Sequence, residues 1–196
     1  MFSENSPADA LSAGVRNAAS ERFEELKTCI HEVGHAFSAI KLRIPVDWVS
    51  IDPFFIKQRV SDWKGSFGIG ACAISAERIA PVLERGRLLS KEDKKDVVEY
   101  GITLMAGPFA EEMYQPSSYN IQTSEEDFEQ LSHALCMLEP RTFERNRIWR
   151  VIFKSTTSLV EENWQAICAV AELLKEKRTI LDEELHTLIA AEGEHE

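Results

Sequence analysis

Several features are scarce in this sequence, and each scarcity excludes something. There are four cysteines in 196 residues, Cys29, Cys72, Cys136 and Cys168, and no two of them form a CxxC pair. That spacing argues against a disulfide framework or a zinc ribbon. Reduced thiols acting as small core hydrophobes are the expectation, and with them a cytoplasmic location. No apolar run reaches about 18 residues, so a transmembrane helix is not expected. The N-terminus lacks the basic start and apolar stretch of a signal peptide, and the absence of GxxxxGK[ST] argues against a P-loop ATPase. Positive charge is short as well: Lys plus Arg number 22 against 33 Asp plus Glu, giving a net charge of −11. An acidic chain is a poor nonspecific binder of nucleic acid and is not drawn to anionic membrane, so neither is an expected partner.

What is present suffices for a folded domain. Hydrophobic residues make up 44%, and a chain of this length buries roughly 70% of its unfolded surface. Residues 1–19 are small and polar without a period and read as a flexible N-terminal tail. The domain then spans 20–196. A first helix is expected from Ser20, with Phe23, Leu26, Ile30, Val33, Phe37 and Ile40 recurring every three or four residues, and it should end before Pro45. A strand over 46–51 is stopped by Asp52-Pro53, a loop follows through Gly65, and a second strand covers 67–74. Gly68 and Gly70 in that strand mark a place where another backbone approaches closely. A helix capped by Ser90 should run over 91–114, kinked or divided at Gly107-Pro108. Another covers 123–138, with Thr123 and Glu126 in capping-box spacing. The rest is helical: Ile152, Thr156, Leu159 and Val160 form one stripe, Trp164, Ile167, Cys168, Ala171 and Leu174 a second, and a short last helix covers 181–191. The fold class is mainly α (α+β), with one small β-sheet.

The chemistry concentrates in His31-Glu32-Val33-Gly34-His35. On a helix, His31 and His35 rise by about 6 Å along one face. Two imidazoles so placed can hold one Zn²⁺ at about 2.0–2.1 Å each. Glu32 is rotated by about 100° from His31, where it can face a metal-bound water without ligating the metal. Zinc brings the pKa of such a water to about 7, and a carboxylate can take its proton. The bland alternative is two histidines that happen to lie four apart. Against it, they flank the apolar stripe rather than occupy it. Gly34, which costs the helix about 1 kcal/mol relative to alanine, suggests a close approach by another element. The third ligand is open among several downstream acids on spacing alone.

Three blocks resemble one family. Residues 31–36, His-Glu-Val-Gly-His-Ala, resemble the HEAGHA of FtsH-type metallopeptidases, the protease half of membrane-bound AAA proteases. Residues 105–112, Met-Ala-Gly-Pro-Phe-Ala-Glu-Glu, resemble that family's GGRxAEE helix, and 123–128, Thr-Ser-Glu-Glu-Asp-Phe, stand where the family has GASND. Residues 171–185 resemble its ending. The resemblance implies Asp127 as third zinc ligand beside His31 and His35, with Glu126 the runner-up. It implies Glu32 as general base, and Glu111 as a carboxylate behind a ligand histidine. Pro108, Thr123 and Glu126 depart from the family's arginine, glycine and asparagine, and the AAA module and membrane anchor are not in this sequence.

The expected function is therefore that of a zinc-dependent endopeptidase, lacking its own ATPase, that cleaves peptides or unfolded protein segments. An extended substrate would add to the Gly68–Gly70 edge. A separate ATPase is a candidate partner, and so is a further copy of the chain, since the family assembles as hexamers. The alternatives are a catalytically weak or inactive binding or regulatory module, suggested by the departures, and a helical interaction domain whose motif is coincidental.

Overall fold

A computed structural model describes residues 7–60, 70–116 and 121–192. In chain order the elements are α1 (Pro7–Lys41), β1 (Val46–Ser50), α2 (Pro53–Arg59), β2 (Ala71–Ile74), α3 (Ala80–Arg85), α4 (Lys91–Tyr114), α5 (Ile121–Leu138), α6 (Thr142–Glu162), α7 (Trp164–Lys177), β3 (Thr179–Leu181) and α8 (Asp182–Glu192). The mainly α (α+β) class holds, with one antiparallel sheet of order β2-β1-β3.

Helix α1 starts at Pro7 rather than Ser20 and takes in residues 7–19, which the sequence assigned to a tail. Proline suits a helix's first turn, where its missing N–H is not needed. The segment is also rich in alanine, the strongest helix former, so propensity acts without an apolar period. Helix α2 falls where a loop was expected. Asp52 caps it, accepting from the Phe54 N–H at 2.9 Å, and Pro53 opens its first turn. A dipeptide that stops a strand can equally start a helix. Strand β2 is shorter than expected: Gly70 precedes it, and Gly68 lies outside the described residues. Strand β3, three residues between two helices, was not expected. Arg178, in the left-handed region at φ 69°, turns the chain out of α7. Its carbonyl then accepts from the Ile51 N–H at 2.8 Å and the Ser50 hydroxyl at 3.1 Å, seating the strand on β1.

Helix α4 has its expected ends. The Asp93 N–H donates to Ser90 Oγ at 3.0 Å, and the Ser90 N–H donates to Asp93 Oδ2 at 3.0 Å, closing a capping box. The helix passes through Gly107-Pro108 undivided. Helix α5 begins at Ile121, so Thr123 lies inside it and is not its cap.

Two apolar cores result. Ile30 and Phe37 of α1 pack with Val49 and Ile51, Ile167 and Leu174 of α7, Ile180 and Leu185. Ile79 and Val82 pack with Val97 and Met105 of α4, Leu131 and Leu138 of α5 and Ile152 of α6. Helix α4 serves both, giving Ala106 and Ala110 to the first core and Ile102 and Met105 to the second. The close approach foreseen at Gly34 is real: a Cβ there would meet the Ala106 carbonyl oxygen at 2.7 Å. Helices α1 and α4 therefore touch backbone to backbone beside the histidines. Of the thiols, Cys29 is buried as expected, Cys72 and Cys168 are half-buried, and Cys136 is exposed, against the expectation of a core residue.

Candidate metal centre

His31 and His35 project from one face of α1 into its contact with α4. They are 7% and 5% exposed, so they are buried rather than at the edge of a cleft. The reason is the thinness of α4 opposite them: Gly107 lies against His35, where any side chain would collide with the imidazole. The His35 Nδ1 lies 2.8 Å from the Thr103 carbonyl oxygen. A carbonyl can only accept, so Nδ1 carries the proton. The His31 Nδ1 lies 3.2 Å from Glu111 Oε2, and a carboxylate fixes the same tautomer.

Both Nε2 atoms then carry lone pairs, and they face each other at 3.0 Å. Asp127 Oδ2, from the first half of α5, completes the triangle at 3.3 Å from His31 Nε2 and 3.4 Å from His35 Nε2. Three electron-rich atoms brought together in a buried place repel unless a cation sits among them. Ligands at about 2.0–2.1 Å in a tetrahedral set stand roughly 3.3–3.4 Å from one another, close to the observed separations. Two neutral imidazoles and a carboxylate suit zinc, and three protein ligands leave a tetrahedral position open. Among the described residues this is the one group of three or more such side chains that could hold a metal ion.

Burial alone would lower the His31 pKa, but hydrogen bonds to Asp127 and Glu111 outweigh it and hold it up at about 10. His35 is likewise raised, burial being overcome by the charge and hydrogen bond of Asp127. Burial would raise Asp127, yet the two histidines hold it well below the usual carboxylate range. The runner-up Glu126 is exposed, where it accepts from Gln130 Nε2 at 3.3 Å. His133 is exposed too.

Glu32 is 8% exposed. Burial raises its pKa, and the two histidines only partly offset this. It turns toward the start of β2: a Cβ on Gly70 would stand 2.6 Å from Glu32 Cγ and 2.7 Å from Oε1. The close approach at Gly70 is made by the side chains of Glu32 and Thr28, not by another backbone as expected. Cys72, on the same strand, is raised well above the usual thiol range by burial and then by Glu32 and Asp127. It is not a member of the His31, His35 and Asp127 group that could hold a metal ion.

Glu111 is 2% exposed and spans two partners, His31 through Oε2 and the Lys27 ammonium through Oε1 at 3.0 Å. Burial would raise its pKa, but the hydrogen bonds to His31 and Lys27 lower it on balance. Three members of the site were not foreseen. Gly107 could have been found by the reasoning applied to Gly34. Lys27 stands one turn before His31 on the same face, a visible spacing. The Thr103 carbonyl leaves no signal, since a backbone acceptor can belong to any residue type.

No family model matches this sequence, and no curated protein matches it. Among the described residues no helix is long and apolar enough to cross a membrane.

Proposed function

We propose that this chain is a zinc-dependent peptidase of the FtsH type, acting on peptides or unfolded segments in the cytoplasm. The observation that carries this reading is the triangle of His31 Nε2, His35 Nε2 and Asp127 Oδ2 with sides of 3.0–3.4 Å, both imidazoles being held with Nδ1–H outward. His31, His35 and Asp127 would hold the zinc, which when bound polarises a substrate carbonyl and acidifies water.

The chain's own groups supply the rest. Glu32, buried and raised in pKa, is suited to accept a proton from water and pass it to a leaving amine. Strand β2 is at the edge of the sheet, and Gly70 at its start leads directly to Glu32. An extended peptide adding to that edge would run past the base with its backbone amides paired. The rival reading, an inactive module, drew in part on Pro108 and Glu126. Pro108 sits in an unbroken α4 and Glu126 faces solvent, so neither disturbs the ligand triangle.

Glu32→Gln separates the readings. The variant should keep stoichiometric zinc and lose casein cleavage by about 10²–10⁴-fold. Cleavage equal to wild type removes Glu32 as the base, and zinc without turnover in the wild type favours the inactive module. A chain that binds no zinc leaves only the interaction domain.

A further inference from the structure

Lys27 is out of place for a lysine. Its residue exposure is 7%, and lysines are almost never so buried unless paired. It stands one helical turn before His31, so Lys27, His31 and His35 follow one another along a single face of α1. Its ammonium lies 4.0 Å from the exposed Glu24 on its own helix but 3.0 Å from Glu111 across the helix contact. The other Glu111 oxygen meets His31 Nδ1. A relay therefore runs from ammonium to carboxylate to imidazole, with every member buried.

We infer that Lys27 is a positioning residue of the metal centre: its ammonium anchors one oxygen of Glu111 so that the other stays on His31 Nδ1 and aims Nε2 at the cation. The terminal torsion of a glutamate is broad and weakly restrained, and an anchor on one oxygen removes that freedom. This inference rests on reading the site as a metal centre.

The test is a double-mutant cycle on the full chain, with zinc affinity read by competition against a chromogenic chelator. Lys27→Met and Glu111→Gln should each weaken zinc binding by about 10–100-fold. The double variant should bind no more weakly than Glu111→Gln alone, because both substitutions cut the same relay. In zinc-loaded protein the His31 Nδ1–H proton resonance should move in Lys27→Met, while that of His35, bonded to the Thr103 carbonyl, should not. Circular dichroism checks folding, and Lys27→Gln carries the same cycle if Lys27→Met does not fold. Wild-type zinc affinity in the lysine variants, additive losses in the double variant, or an unmoved His31 resonance overturns the role of Lys27 and leaves the metal site standing. A wild-type chain that takes up no zinc overturns the site reading and this inference with it.

Discussion

A methyl group added at Gly107 would sit 2.4 Å from His35 Nε2 and 2.7 Å from its Cε1. The ring would have to turn, and its Nδ1–H would leave the Thr103 carbonyl. Gly107→Ala should therefore lower zinc affinity by at least tenfold while helix content is kept, since alanine favours the helix by about 1 kcal/mol; calorimetric titration with zinc beside circular dichroism reads both. Gly34→Ala should behave differently. Its Cβ would meet the Ala106 carbonyl oxygen, a backbone atom that cannot step aside, at 2.7 Å. Overpacking of about 1–3 kcal/mol should outweigh the propensity gain, and a lower urea midpoint would show it. Asp127→Asn should lose zinc and Glu126→Gln should keep it, because only Asp127 closes the triangle. At this scale the sequence is legible where partners are close in the chain. His31, Glu32 and His35 could be placed because a helix fixes their geometry within one turn. Asp127 lies 92 residues beyond His35, and spacing alone could not choose it among the acids. The resemblance to a family could.

Elements were legible where both ends carry local chemistry. Ser90 announced α4 correctly; the Asp93 half of its capping box emerged with the structure. Helix α2 and strand β3 were missed, the first because Asp52-Pro53 stops one element while starting another. The second was missed because three residues between helices gain strand character only from pairing with β1. The turn joining α5 to α6 shows how such chemistry responds to pH. Glu139, at the end of α5, accepts from Arg141 Nε and Nη2 at 2.8 Å each and from the Arg141 N–H at 3.1 Å. Arg141 holds the Glu139 pKa at about 2, below its ordinary 4.5. A carboxylate lowered in the folded state adds stability above its unfolded pKa and loses it as pH falls through the folded value. The turn's contribution should therefore be complete above about pH 4.5 and gone near pH 2. The guanidinium is exposed, so water and salt screen the pair and keep its contribution small. Arg141→Ala should be slightly less stable than wild type at pH 7 and equal to it near pH 2, as measured by urea unfolding across the range.

Across the whole molecule the metal site lies where the two cores meet. His31 and His35 belong to α1, which builds the core with the sheet, α7 and α8, whereas Asp127 belongs to α5, which builds the other with α3, α4 and α6. Glu111 comes from α4, the helix that both cores share. Apolar packing holds α5 through Leu131, Leu135 and Leu138 and, beside Asp127, through Phe128, which meets Trp149 of α6 edge to face. The turn carrying Asp127 is tied to α1 as well, through the imidazoles. A cation held among three side chains from α1 and α5 should thus act as a cross-link between cores as well as a chemical centre. A ligand that binds only the folded chain stabilises it by about 2.7 kcal/mol at a hundredfold excess over Kd. For a chain of this size that amounts to a rise of roughly 5–11 °C in Tm. Zinc should produce that rise in wild type, EDTA should reverse it, and Asp127→Asn should be indifferent to both. Hydrogen exchange should place the zinc-dependent protection in the early turns of α5 and the His31–His35 turn of α1, with little change in α7 and α8. Protection spread evenly over the chain would mean that zinc stabilises the fold without acting as a link between its two halves.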